Sequence, residues 1–157
     1  VRSRRQRQMC IRDSVKIVLN RLGQMRWMQV AIKPAKPLAF GIVNELPVFG
    51  LPGNPVSSMV SYELFARPAL RKMSGNKNPY RTIFEGKATQ DFLRKPDGKT
   101  HFFRVSADVG EGTPKIQSAG HQGSHQLTGM AGANALAILP DGNGVTQDAT
   151  LEFLFLD

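Results

Sequence analysis

The chain has 157 residues, 41% of them apolar and 21% charged, and its 21 Lys and Arg residues against 12 Asp and Glu residues give a net charge of +9. This length suits one ordinary domain or two small modules, and no window approaches the ~18–20 consecutive apolar residues of a membrane span, which excludes a transmembrane protein. The single cysteine, Cys10, excludes an internal disulfide and a cysteine-built zinc site, so we expect a soluble globular protein of the reducing cytoplasm.

The N-terminal segment is unusually basic. Five arginines fall within the first 14 residues against one acid, Asp13, which gives that segment a charge of +4. Because the string RRQRQMCIRDS looks like a translated adapter, we interpret residues 1–12 as a non-native or disordered basic head and leave them out of the fold prediction. The alternative is a native basic arm that binds nucleic acid.

Residues 14–51 predict a helix followed by three strands. Apolar residues at helical spacing indicate a helix over 15–22, and Gly23 suits its C-terminus. Short apolar runs predict strands at 27–32, 38–43 and 48–51. A helix joined to nearly continuous apolar strands indicates an α/β layer whose strands are covered on both faces.

The second helix is the clearest element of the sequence. Asn54 is a favourable N-cap, Pro55 fits the first helical position, and an apolar stripe continues to Met73. Pro68 removes one backbone hydrogen bond and should kink or split the helix near residues 66–67. Turn formers at 74–79 then predict a domain boundary, so residues 13–75 form the first domain.

From residue 80 onward the sequence predicts short strands and little helix. Apolar stretches indicate strands at 82–93, 101–107, 115–118, 133–139 and 150–156, separated by turns rich in Gly, Pro and Asp. The fold class is therefore α/β followed by all-β, with residues 80–157 forming a small β-barrel.

The turn Leu51-Pro-Gly-Asn-Pro-Val-Ser57 follows a strand and opens a helix. Gly53 permits close approach of a ligand, while Asn54 and Pro55 fix the start of the helix. The free amides of the first turn form an anion site, and the hydroxyl of Ser57 is a further donor. The alternative is a well-capped helix with nothing bound.

Two lysines stand in a second stiff segment, Ile32-Lys-Pro-Ala-Lys-Pro37. Lys33 and Lys36 each precede a proline, which favours an extended conformation at each lysine. Two ammonium groups held in this way beside a helix N-terminus suit a phosphate or another oxyanion. The alternative is a pair of solvated lysines at a strand end.

The barrel part offers two more candidate residues. In Gly120-His-Gln-Gly-Ser-His125 the histidines are four residues apart, but Gln122 replaces the general base of a zinc protease, so we reject zinc catalysis. Ser124 can donate to an oxyanion. Arg104 is the second candidate, and together with Phe102 and Phe103 it is only a weak signal for nucleic-acid binding.

Three segments in combination closely resemble the MoeA/gephyrin family of molybdopterin molybdotransferases. They are Ile32-Lys-Pro-Ala-Lys-Pro-Leu-Ala-Phe-Gly41, Gly50-Leu-Pro-Gly-Asn-Pro-Val-Ser57 and Pro68-Ala-Leu-Arg-Lys-Met73. The resemblance extends from about Asp13 to the C-terminus. It implies the last part of a three-layer α/β domain that resembles molybdopterin-binding proteins, and then a C-terminal β-barrel. The chain would be a fragment of a longer protein.

The resemblance implies a Mg²⁺-dependent reaction in which adenylylated molybdopterin is hydrolysed, molybdate enters at the dithiolene, and AMP and molybdenum cofactor leave. It implies a cytoplasmic homodimer for the complete protein, a fragment that is inactive alone, and no membrane or nucleic-acid partner. A basic nucleic-acid- or anion-binding module is the alternative function. The implied catalytic residues are Lys33, Arg104 and Ser124, the implied metal ligand is Asp13, and the implied substrate-binding residues are Lys36, Pro52, Gly53, Asn54, Pro55 and Ser57.

Two departures from the family pattern concern the lysine segment. Gln29 stands four residues before Lys33, where some members carry a basic residue, so one cationic contact is absent. Ala35 replaces a common glycine and should make the segment slightly stiffer.

Overall fold

A computed structural model of the chain describes residues 14–120, 122 and 132–156. Its first part contains a helix over residues 14–22, α1, followed by a three-stranded antiparallel sheet. The central strand of that sheet is β3 (Pro37–Val43), with β1 (Gly23–Gln29) on one side and β4 (Leu46–Gly50) on the other.

The strand predicted at 27–32 is in fact two strands. β1 ends at Gln29, and a separate two-residue strand, β2 (Ile32–Lys33), leaves the first sheet. A tight turn separates them, because the Val30 N–H donates to the Lys36 carbonyl at 2.7 Å and the Ile32 N–H donates to the Val30 carbonyl at 2.8 Å. This turn redirects the chain towards the second half of the molecule.

The predicted three-layer α/β architecture is not confirmed. β3 and β4 are joined by Asn44 and Glu45, whose φ angles are 48° and 65°. Two central residues with positive φ make a tight hairpin, and a hairpin joins antiparallel strands, whereas a parallel α/β layer needs long crossovers. Coverage of the sheet on both faces is also not found, because Ile42 and Leu46 are exposed.

The second helical region starts where the sequence predicts. Helix α2 (Pro55–Ser61) is followed without a break by a π-helical turn, Tyr62–Ala66, and then by α3 (Arg67–Met73). Pro68 lies at the start of α3, and the Arg67 N–H bonds to the Tyr62 carbonyl, five residues back. The interruption expected at Pro68 is thus a change from α-helical to π-helical hydrogen bonding just before this proline, which has no N–H to donate.

The second half of the chain forms the predicted β-barrel. Five strands are hydrogen-bonded in the order β7-β8-β5-β11-β9, and β9 pairs again with β7, which closes the sheet. Buried apolar side chains such as Val105, Ile116 and Phe153 fill the inside. The strands are β5 (Phe84–Ala88), β7 (Thr100–Asp108), β8 (Lys115–Ser118), β9 (Ala135–Leu139) and β11 (Thr150–Phe155).

The predicted strand at 82–93 is also divided. It contains β5 and a two-residue strand, β6 (Phe92–Leu93), which pairs with β10 (Gly144–Val145) outside the barrel. Phe92 turns its side chain into the barrel core, and it is 2% exposed. The buried residues of this stretch, Gly86, Ala88 and Phe92, therefore belong to two strands and not to one continuous strand.

The barrel and the helical region share a second apolar core. Val60 of α2 packs with Ile32 and Ala35 against Leu136 and Leu154 on the outside of the barrel. β2 also pairs in parallel with β7, and the Thr100 N–H donates to the Ala31 carbonyl at 2.9 Å. These contacts fix the lysine segment against the barrel. Among the described residues, no helix combines the length and apolar character needed to cross a bilayer.

Candidate functional site

An open cleft of ≈ 730 Å³ lies where the lysine segment, the start of α2 and the barrel meet. Lys33, Lys36 and Ser57 line it from the first half of the chain, and Gln122 lines it from the barrel half. The structure thus brings together three predicted site residues, Lys33, Lys36 and Ser57, from two separate motifs.

The backbone holds both lysines at the edge of this cleft. Lys33 belongs to β2 and lies in register with His101 of β7. Two residues on, Ala35 is 3% exposed and packs in the second apolar core, with a φ angle of 86°. Because Ala35 is anchored inside, Lys33 and Lys36 on either side of it stay exposed to the cleft.

The turn before α2 and the first turn of the helix use two of their amide N–H groups within the chain. The side-chain oxygen of Asn54 accepts the Ser57 N–H at 3.3 Å, and its carbonyl accepts the Ser58 N–H at 2.8 Å. Pro55 has no N–H, and the Ser58 hydroxyl donates to the Pro52 carbonyl. The N–H groups of Gly53, Asn54 and Val56 have no acceptor among the described residues.

Of the residues in this turn, Ser57 lines the cleft. Ser57 is 7% exposed and lines the cleft, whereas Pro52, Gly53, Asn54 and Pro55 shape the backbone that positions it. The two ammonium groups of Lys33 and Lys36 thus share the cleft with Ser57, and the anion site built from the free amides of this turn stays a prediction.

Arg104 is buried in strand β7. Arg104 is 2% exposed. Burial lowers the pKa of its guanidinium from the usual value because desolvation disfavours the charged form. It is not itself a lining residue of the cleft, but its strand neighbours Phe102 and Phe103 are. Ser124 and Asp13 lie outside the described residues.

A charged network that sequence reasoning missed forms the barrel side of the cleft. The Arg94 guanidinium donates to Asp97 at 2.7 Å and to Asp141 at 2.8 Å, and it also donates to three backbone carbonyls. Asp97 in turn lies 2.9 Å from Lys99 and 3.1 Å from the Nε2 atom of His101. Arg94, Asp97 and His101 all line the cleft.

The network and its burial lower the pKa of both Asp97 and His101, which favours the deprotonated form of each. A hydrogen bond from Lys99, aided by His101, lowers the pKa of Asp97 to about 2. Burial lowers the pKa of His101 below its usual 6.5, and this outweighs the opposing effect of the Asp97 carboxylate. Since an ionised carboxylate only accepts hydrogen bonds, the neutral His101 ring carries its proton on Nε2.

The sequence contained one usable signal for this network. Lys95-Pro-Asp-Gly98 is recognisable as a turn, and a histidine that follows an aspartate by four residues across a tight turn can reach back to it. The strand pattern alone does not show which face of β7 carries the His101 side chain, so the sequence did not reveal the contact between His101 and Asp97.

The described residues do not assemble a metal centre. Among residues 14–120, 122 and 132–156, no group of three or more His, Cys, Asp or Glu side chains is placed to hold an ion. Asp97 and His101 are a pair, and both are committed to the network with Lys99 and Arg94.

Comparison with known proteins identifies relatives for most of this chain. Residues 87–154 match the family model described as "MoeA C-terminal region (domain IV)". The chain is 36% identical over 137 residues to the molybdopterin molybdenumtransferase of Haemophilus influenzae, a match that covers 84% of this chain and 33% of the relative. It is 39% identical over 117 residues to molybdopterin molybdenumtransferase 2 of Mycobacterium tuberculosis, covering 74% of this chain and 28% of that protein.

The fold is also shared with a solved structure. The crystal structure of the molybdopterin biosynthesis MoeA protein from Pyrococcus horikoshii superposes with a TM-score of 0.72 at 22% identity, covering 92% of this chain and 35% of that one. The matched family region runs from β5 to β11 and so encloses the barrel. The chain spans about a third of the length of the curated relatives that it matches.

Proposed function

The chain belongs to the MoeA family, with that family's C-terminal region at residues 87–154, and we propose that it forms part of a molybdopterin molybdotransferase. The complete enzyme inserts molybdenum from molybdate into adenylylated molybdopterin and releases AMP. In this proposal the cleft between the lysine segment and the barrel receives the oxyanion, and the 157-residue chain alone is inactive.

One observation carries the proposal: Lys33 and Lys36 face the same cleft as Ser57 and Gln122. Molybdate is a tetrahedral dianion, and fixed cations with a nearby hydroxyl donor are the groups that stabilise such an ion. Against these two ammonium groups the cleft lining places a single carboxylate, Asp97, which is itself bound by Arg94 and Lys99. Its charge is therefore largely compensated within the barrel.

Each candidate residue has a proposed role. Lys33 and Lys36 attract and orient the oxyanion, and Ser57 donates from the start of α2. Pro52, Gly53, Asn54 and Pro55 act by holding Ser57 in place. Arg104 and Ser124 are proposed to approach the oxyanion from the barrel side.

The oligomeric state, the cellular location and the metal requirement are also proposals. A cytoplasmic homodimer and a Mg²⁺ requirement are what the family resemblance implies for the complete protein. The described residues do not fit Mg²⁺, because they hold no cluster of three metal-ligating side chains, and Asp13 lies outside them. We therefore derive no step through a metal ion.

Genetic rescue tests the proposed activity. The complete gene that encodes this chain is placed in a bacterium that lacks its own molybdenum insertase, and the activity of a molybdenum-dependent enzyme is measured. Lys33→Ala and Arg104→Ala should each lower the rescue by about 100–1000-fold, comparable to the loss of one donor to an oxyanion. Full rescue by both variants would overturn the site.

A matched control is available in the same chain. Lys115 is exposed in β8 and does not line the cleft, so Lys115→Ala removes the same charge from a distant position. It should rescue as well as the unchanged protein. A loss of rescue in Lys115→Ala equal to that in Lys33→Ala would mean that only the overall positive charge matters.

A further inference from the structure

A second cavity, of ≈ 370 Å³, lies between α3, the segment that follows it and the barrel. Three arginines, Arg67, Arg71 and Arg81, line it, and no acidic residue is among its lining residues. None of its lining residues belongs to the lysine cleft. The proposed molybdenum chemistry does not use this cavity.

Arg81 is a fixed charge at one side of the cavity. Its Nε atom lies 2.6 Å from the Glu63 carboxylate, and its Nη2 atom donates to the Leu156 carbonyl at 2.7 Å. The Arg67 Nε atom lies 3.6 Å from the same carboxylate oxygen. Two of the three guanidinium groups thus share one carboxylate, which offsets a single charge, and the site retains a charge of about +2 at neutral pH.

Two buried nitrogen atoms of the lining arginines have no acceptor among the described residues. The Nη1 atom of Arg67 and the Nε atom of Arg71 are inaccessible to solvent, and neither has a hydrogen-bond partner among the described residues. A buried donor without a partner costs free energy, so such groups normally have an acceptor. Arg67 and Arg71 are also four residues apart in one helix, where two like charges repel each other.

We propose that this cavity binds a phosphate group, either free or as part of a phosphate monoester. A tetrahedral dianion between Arg67 and Arg71 neutralises the remaining charge, and a rotation of either side chain towards it gives that arginine's orphaned donor an acceptor. Guanidinium groups present several N–H donors in a plane that matches phosphate oxygens. The volume exceeds that of one phosphate ion and leaves room for an attached group.

The chemistry of the cavity mouth favours the monoester. Tyr80 and Phe84 also line the cavity and are 74% and 42% exposed. Exposed aromatic rings beside an arginine cluster provide an apolar surface for the organic part of a phosphate ester. Phenyl phosphate is therefore the informative probe next to inorganic phosphate.

Isothermal titration of the 157-residue chain with inorganic phosphate tests the site directly. We expect saturable binding that Arg71→Gln weakens about 10-fold, the effect of losing one charge-assisted hydrogen bond. Lys72→Gln is the matched control, because Lys72 is the next residue of α3, carries the same charge and does not line the cavity. It should change the affinity by less than about 2-fold.

Two outcomes would overturn the proposal: absence of saturable binding at millimolar phosphate, or equal weakening by Arg71→Gln and Lys72→Gln. Arg71→Lys is the second variant, since it keeps the charge and removes the Nε donor, and it should also weaken binding. Thermal unfolding of each variant without phosphate verifies that it is folded. Tighter binding of phenyl phosphate that Phe84→Ala abolishes supports a monoester, and equal binding of both probes supports free phosphate.

The phosphate test is independent of the proposed enzyme activity. Phosphate binding is measured on this chain and depends on Arg71, whereas genetic rescue is measured on the complete protein and depends on Lys33 and Arg104. Failure of one experiment leaves the other unaffected.

Discussion

The side-chain amide of Gln122 pairs with both backbone groups of Arg104. Its Oε1 atom accepts the Arg104 N–H at 2.9 Å, and its Nε2 atom donates to the Arg104 carbonyl at 2.8 Å. The same Nε2 atom lies 3.0 Å from the Ser118 hydroxyl oxygen. Gln122 therefore continues the pairing of β7 beyond the end of β8 and fixes the backbone that carries Arg104.

This relationship predicts that Gln122→Glu destabilises the fold. A carboxylate retains the acceptor but loses the donor, and it then faces the Arg104 carbonyl oxygen, so the free energy of unfolding should fall by about 1–3 kcal/mol. Urea unfolding at pH 7 measures the change. Gln117→Glu is the control, because Gln117 is exposed in β8, and it should stay within about 0.5 kcal/mol of the unchanged chain.

Arg94 predicts a larger effect. Its side chain is 2% exposed and donates to carbonyls at Lys99, Leu139 and Pro140 as well as to two carboxylates. Lysine has one nitrogen and cannot reach this set, so Arg94→Lys should lower the free energy of unfolding by about 2–4 kcal/mol although the charge is kept. The neighbouring exposed Lys95→Gln should change it by less than about 0.5 kcal/mol. Equal effects would show that Arg94 acts only by its charge.

The lowered pKa of His101 predicts a pH dependence of stability. At pH values between the pKa of His101 in the folded state and its usual value of 6.5, the unfolded chain binds a proton at this residue and the folded chain does not. Stability should therefore fall as the pH drops below 6.5, by at most about 1.4 kcal/mol per pH unit for one proton. Asp97, with a pKa of about 2, stays ionised throughout that window.

Comparison of the unchanged chain with His101→Gln isolates this effect. Both are unfolded by urea at pH 5, 6, 7 and 8, and the difference between them should diminish steadily from pH 7 to pH 5. The two other histidines, His121 and His125, are present in both chains and cancel in the comparison. A difference that is constant with pH would contradict the assigned neutral state of His101.

The elements that the sequence predicted well are those with a local physical cause. Asn54 and Pro55 fix the start of α2 because capping and a preset φ act within one turn. The strands Lys115–Ser118 and Thr150–Phe155 agree with prediction because turn formers border them closely. The barrel follows from several such strands in succession.

The parts that were missed depend on contacts between distant residues. Asn44 and Glu45 form a tight hairpin, although neither is glycine and Asn is followed by Glu, so the local pattern concealed the antiparallel pairing. Likewise, the contact between Arg94 and Asp141 links residues 47 positions apart. Pairing across such separations is decided by packing, which periodicity does not reveal.

Asn54 provides a test of how the turn before α2 works. Its side chain accepts the Ser57 N–H, so Asn54→Ala should lower the free energy of unfolding by about 1 kcal/mol, the usual loss for an N-cap, while Asn54→Asp should preserve the cap. Urea unfolding of the two variants measures this. Asn54→Ala also leaves the Ser57 N–H without its side-chain acceptor. The affinity of this variant for molybdate therefore shows whether the anion binds to the lysines alone or also to that N–H. Affinity that is unchanged in Asn54→Ala supports binding by the lysines, and affinity that rises shows that the cap competes with the anion for that amide.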